Sequence, residues 1–266
     1  MLAGLLLLKI AVTASVVIGL SVLAERSGPR IAGLLAGLPL GTAILYFFIG
    51  LEQGPGFVTA ASGYTLGGLI ATLAMSYAYW QVSRRAGILG ASTAGLAAFG
   101  LTAYALSLLH PGFAATVALT VLALAAGMAA MHAIPERAMT RRVRLTLPML
   151  LLRAGAATSV VLLVTGTADL IGPRWAGLLS GFPLTFLPLL LIIHASHSVH
   201  AAHGLLRNFP FGLGAVTGYV ICARFVFEPL GVVAGTAVSI VAGLSYLLGY
   251  WLVVRLVRRL RRPAAA

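Results

Sequence analysis

Lys9 and Arg153 are the first residues whose type and position could do chemistry. Each is a cation some seven or eight residues inside a run of apolar side chains, roughly 10 Å deep at the 1.5 Å rise of a helix. A charge in the interior of a membrane is costly and marks a substrate pathway or a pairing partner by default. The alternative is that a long cationic stem snorkels to the interface. A second set is Gly28-Pro29-Arg30 and Gly172-Pro173-Arg174, preceded by the acidic Glu25 and Asp169. Pro cannot continue a helix and Gly lets the chain turn closely. Arg30 and Arg174 are therefore expected at helix starts, where the free N–H groups add positive potential. Pro39 and Pro183 then interrupt those helices near mid-span and free backbone carbonyls. Basic helix starts beside broken helices suit an anionic group. The structural alternative is Arg–carboxylate locking plus tight packing through Ala32, Gly33, Ala36 and Gly37, and through Ala176, Gly177, Ser180 and Gly181.

His194, His197, His200 and His203 recur every three residues around an expected loop. Two imidazoles on one face could bind a divalent ion, but no carboxylate or thiol lies nearby, so interfacial histidines without metal are the expectation. Cys222 is the only cysteine, which excludes an intrachain disulfide and a multi-cysteine metal site. With five acidic residues, paired carboxylates for acid–base catalysis are scarce. No nucleophile elbow, phosphate loop or His-Glu-x-x-His motif occurs. The expectation is no enzyme activity and no cofactor.

The elements that carry these residues follow from composition. Of 266 residues 60% are apolar and 9% charged, against about 25% charged in soluble domains, and the mean hydropathy is +1.04. Too little polar side chain exists to cover a globule in water. Nine segments have the roughly 20 apolar residues that a spanning helix needs: about 2–24, 31–50, 57–80, 88–109, 112–133, 145–168, 175–194, 205–227 and 230–254. The first is read as a spanning helix rather than a cleaved signal peptide. The net charge of +13 is no nucleic-acid footprint, because the cations sit in short gaps and in the tail. Fourteen of the eighteen Lys and Arg fall in alternate loops and the C-terminal tail. The positive-inside rule then puts the N-terminus outside and the C-terminus in the cytoplasm.

Self-comparison shows a duplication. A shift of 144 lays Leu5–Leu40 over Met149–Leu184 without a gap, with seventeen of 36 positions identical. The polar positions pair too: Lys9 with Arg153, Ser15 with Ser159, Glu25 with Asp169, Arg30 with Arg174. A shift of 141 lays Ala60, Ala61 and Gly63 over Ala201, Ala202 and Gly204. The expected fold is an all-α polytopic bundle of two four-helix repeats, 1–110 and 145–254. A linker helix and basic loop occupy 111–144, and a basic tail 255–266. Five helices separate equivalent points, so the second repeat enters the membrane inverted, as in many secondary transporters.

Each four-helix unit also resembles the GlpM-like family of small four-helix inner-membrane proteins. The residues that carry the resemblance are Lys9 or Arg153, Ala176-Gly177-Leu178, the run Phe182-Pro183-Leu184-Thr185-Phe186, and His194. The chain departs from that family in being fused and in having the His later after the Pro. The resemblance implies an inner-membrane location and no settled activity.

The functional expectation is a secondary transporter or flippase-like permease for a small anionic or amphiphilic substrate, bound around Lys9, Arg30, Arg153 and Arg174. The alternatives are a non-transporting scaffold or assembly factor, and a divalent-metal transporter using the histidines. Expected partners are the lipid bilayer and the small anion, with homo-oligomers allowed and nucleic acid excluded. The expected location is the inner (plasma) membrane, multi-pass.

Overall fold

Backbone polar groups in lipid must be satisfied within the chain, so a sequence this apolar has to be helical or a closed barrel. The computed structural model describes the backbone of residues 2–36, 38–109, 111–135 and 146–260, and the side chains of these except 2–3, 24–34, 36 and 257–260. Among the described residues the protein is all-α, with nine helices and no strand. They are α1 (Leu2–Ala36), α2 (Leu40–Gln53), α3 (Pro55–Ser83), α4 (Ile88–Leu109), α5 (Phe113–His132), α6 (Leu147–Gly166), α7 (Ala168–Ser180), α8 (Phe186–Ser196) and α9 (Val199–Leu260).

Nine helices are not nine spans. Six of the described helices are long and apolar enough to cross a membrane, and α2 and α8 are shorter apolar helices. The expected second span is divided between the end of α1 and α2, either side of Leu38 and Pro39. The expected seventh is divided between α7 and α8 by residues 181–185. The expected eighth and ninth lie within α9, which Gly231 divides at φ 75°, ψ 178°. That backbone region is open essentially to glycine alone. Gly172 makes the same excursion inside α7, at φ 70°, ψ 173°. The eighth helix starts at Val199 rather than near 205, with His203 of its first turns buried and His200 exposed.

Apolar faces point outward and polar ones inward. Leu101, Leu109, Leu122, Leu248 and Trp251 are exposed, whereas Ser62, Thr65, Thr72 and Ser76 of α3 are buried. This is the distribution of a bundle in lipid, where interhelical hydrogen bonds and close packing hold helices together. The central helix α3 packs on α4, α7 and α9. A Cβ on Gly68 would lie 2.2 Å from the Leu178 carbonyl oxygen, and one on Gly181 would lie 2.6 Å from the Gly68 backbone. α3 and α7 therefore cross backbone to backbone, on the small-residue face that includes Gly177 and Gly181. Around the crossing lies an aromatic core in which Phe186 and Phe209 stack with centroids 3.5 Å apart. There the Tyr46 hydroxyl donates to Thr65 Oγ1 at 2.7 Å.

Polar groups gather at two ends of the bundle. Lys9, Glu52, Thr165, Thr59, Arg224 and Glu228 mark the first, through contacts among α1, α2, α3, α6 and α9. Ser83, Arg84, His132, His194, His203 and Arg207 mark the second.

Candidate functional site at two interrupted helices

A proline inside an apolar helix removes a backbone donor and strands carbonyls one turn earlier. Both expected breaks occur. The chain leaves α1 and turns through Leu38, whose N–H reaches Leu35 O at 3.1 Å. α2 then starts behind Pro39, with Ala43 N–H donating to Pro39 O at 2.7 Å. At the second break α7 ends at Ser180, Leu184 N–H folds back to Phe182 O at 2.9 Å, and α8 starts at Phe186.

The two breaks pack against each other. A Cβ on Gly41 would lie 3.6 Å from Leu184 Cβ. Side chains from other helices donate to the freed carbonyls: Thr42 Oγ1 to Ser180 O at 3.0 Å, Thr72 Oγ1 to Gly181 O at 2.7 Å, and Arg153 Nη2 to Thr185 O at 3.4 Å. The oxygens of Ser180 and Gly181 are buried, and these donors offset the desolvation cost that burial puts on them. A cavity of about 20 Å³ remains between the breaks, with Leu38, Gly41, Thr42, Gly181, Pro183 and Thr185 in its wall. That is room for a water molecule and no more, so the breaks are closed on each other in this conformation.

The sequence-derived candidates separate into three places. Arg153 is at the second break, 2% exposed, with Nε and Nη1 unpartnered. Lys9 is at the first end. Its ammonium donates to both Glu52 carboxylate oxygens at 2.7 and 2.8 Å and to Thr165 Oγ1 at 2.7 Å, which uses all three N–H groups. Thr165 is twelve residues from Arg153 along α6, about 18 Å of helical rise, so Lys9 and Arg153 serve different sites. Arg174 is half-buried with Nε unpartnered. Asp169 is exposed in the first turn of α7. The ion pair found among the described residues is Lys9 with Glu52, not Asp169 with Arg174. Glu25, Gly28 and Arg30 lie outside the described side chains, and the basic residues Arg137 to Arg144 lie outside the described residues.

The histidines collect at the second end, but not on one helix. His194 ends α8, His197 sits in the turn, and His200 and His203 open α9. His194 Nδ1 is 2.7 Å from the Tyr79 hydroxyl and His203 Nε2 is 2.9 Å from Ser83 Oγ. Among the described residues no three His, Cys, Asp or Glu form a group that could hold a metal ion. A cavity of about 540 Å³ opens beside them, with Trp80, Arg84, Val199, His200 and His203 in its wall.

Thr42, Thr72, Thr165 and Glu52 escaped sequence reading. Threonine is ordinary in an apolar helix, and Glu52 looks like an interfacial residue past the end of a span. The available signal was that Thr42 and Thr185 follow the two prolines within three residues.

No family model, curated protein or solved structure matches this chain.

Proposed function

We propose that this integral membrane protein is a secondary permease for a small anionic or amphiphilic substrate, working without a cofactor. The observation that carries the reading is the meeting of two proline-interrupted helices beside a buried Arg153 that has no carboxylate partner among the described residues. Irregular backbone at membrane depth is tolerated only inside protein or along a water-filled cavity, and transporters use such breaks to hold their substrates. The packing of α1 on α6, with Lys9 near the start of one against Thr165 near the end of the other, supports reading 1–110 and 145–254 as inverted repeats. In that reading 111–144 is the linker and 255–266 the basic tail. The run Phe182-Pro183-Leu184-Thr185-Phe186, on which the GlpM-like resemblance rests, coincides with the second break. We assign the first end to the outside and the second, with Arg84, Arg85 and Arg207, to the cytoplasm of an inner membrane.

The test is flux. Proteoliposomes loaded with a mixture of small organic anions are expected to release at least one of them faster than empty vesicles. Arg153→Gln is expected to slow that release at least tenfold. No protein-dependent release of any anion would sink the reading.

A scaffold without transport is favoured by one observation, the complete saturation of Lys9 by Glu52 and Thr165, which ties three helices together. It predicts that every charge substitution acts through stability alone.

A further inference from the structure

The two halves of the chain treat their interior cation differently. In the first half Lys9 has a carboxylate, Glu52, and a hydroxyl, Thr165. A shift of 144 carries Lys9 onto Arg153 and Ser21 onto Thr165. α1 packs on α6 with Lys9 against Thr165, and under the inverted-repeat reading the buried Ser21 is the counterpart of Thr165 and belongs level with Arg153. The hydroxyl is retained in the sequence, but Ser21 Oγ donates to Val17 O within α1. The carboxylate is not retained: the sequence holds no Asp or Glu between Asp169 and Glu228, so α8, the counterpart of α2, has none to offer. Among the described residues Arg153 is left with one backbone carbonyl at 3.4 Å and two idle donor nitrogens.

A cation kept in that state is unfavourable in a low-dielectric interior, and a planar guanidinium is matched by a carboxylate. We infer that Arg153 is the binding residue for a monoanionic carboxylate ligand, which takes against it the part that Glu52 takes against Lys9. One unbalanced cation calls for one negative charge, which disfavours a dianion. The ligand enters when α6 and the 181–185 break part, because the cavity there is closed to anything beyond water. That the ligand is also the transported substrate rests on the permease reading.

The experiment uses the full chain in nanodiscs of zwitterionic lipid, with thermal unfolding as readout. The probes are propionate, which arrives from water, oleate, which arrives through the bilayer, and inorganic phosphate as the competing anion class. The expected result is a saturable rise of several degrees with one carboxylate, at roughly a hundredfold excess over Kd. The probe that works identifies the route. Arg153→Gln is expected to abolish the rise. Ser21→Asp, which supplies an internal carboxylate, is expected to abolish it too while raising Tm without ligand, and it keeps the test valid should Arg153→Gln not fold. No response to either carboxylate, a stronger response to phosphate, or an undiminished response in Ser21→Asp would overturn the inference. Carboxylate binding without flux in proteoliposomes would overturn the permease reading and leave this site standing. Flux indifferent to Ser21→Asp would do the reverse.

Discussion

Burial makes opposite demands on two cations that the duplication made equivalent. Lys9 is 6% exposed in its side chain and Glu52 24%, so their pair is largely desolvated and its loss exposes one charge to an apolar surrounding. Lys9→Met is therefore expected to destabilise the protein by about 2–3 kcal/mol, somewhat less than for a fully buried pair because Glu52 still meets solvent. Adding Glu52→Gln should return most of the loss, and a double-mutant cycle read by thermal unfolding in detergent checks both. Arg153 has no such partner among the described residues. Arg153→Met is expected to stabilise by about 1–3 kcal/mol while abolishing anion flux, the trade expected where a site is held in an unfavourable state for its ligand. Equal destabilisation by both substitutions would mean that Arg153 is structurally satisfied after all. Sequence inspection found both cations, since an interior charge is visible in any hydropathy profile. It could not find Glu52, because the partner lies 43 residues away and only the packing of α1 on α2 brings it near.

At the level of elements, the two breaks hold their shape because threonines from neighbouring helices donate to the freed carbonyls. Thr72→Val keeps the volume but strips the donor from Gly181 O, and is expected to cost about 1–3 kcal/mol. Thr72→Ser, which keeps the hydroxyl, should cost less than 1 kcal/mol. The crossing of α3 and α7 is less forgiving. Gly181→Ala puts a methyl 2.6 Å from the Gly68 backbone, so the helices must separate, at about 3 kcal/mol. Thermal unfolding of the three variants in one detergent ranks them, and a ranking with Gly181→Ala mildest would contradict the close crossing. The proline positions were legible in the sequence, as was the small-residue face. Which side chains would satisfy the breaks was not, since a hydroxyl reaches a carbonyl 109 residues away only after the helices have packed.

For the whole molecule, the proposed orientation makes a test that needs no substrate. With Cys222 replaced by Ser, single cysteines at Arg85 and Glu228, both exposed, should react with a membrane-impermeant thiol reagent from opposite sides. Arg85→Cys is expected to label from the cytoplasm and Glu228→Cys from outside. Labelling of both from one side would refute the assignment of the two ends and the inverted arrangement with it.

The sequence alone determined that the chain lives in lipid, that it is helical, that a 36-residue stretch of its first half recurs in register in its second and that cations stand inside its spans. All of these are local or additive properties: hydropathy summed along a segment, the backbone limits of Gly and Pro, identity in register. Tertiary structure alone decided which of those cations is neutralised. Lys9 and Arg153 occupy matching positions, but Lys9 meets a carboxylate from α2 and a hydroxyl 156 residues away on α6, while among the described residues Arg153 meets a single backbone carbonyl at the helix break. An ion pair depends on distances between helices, and those are set only when the bundle closes.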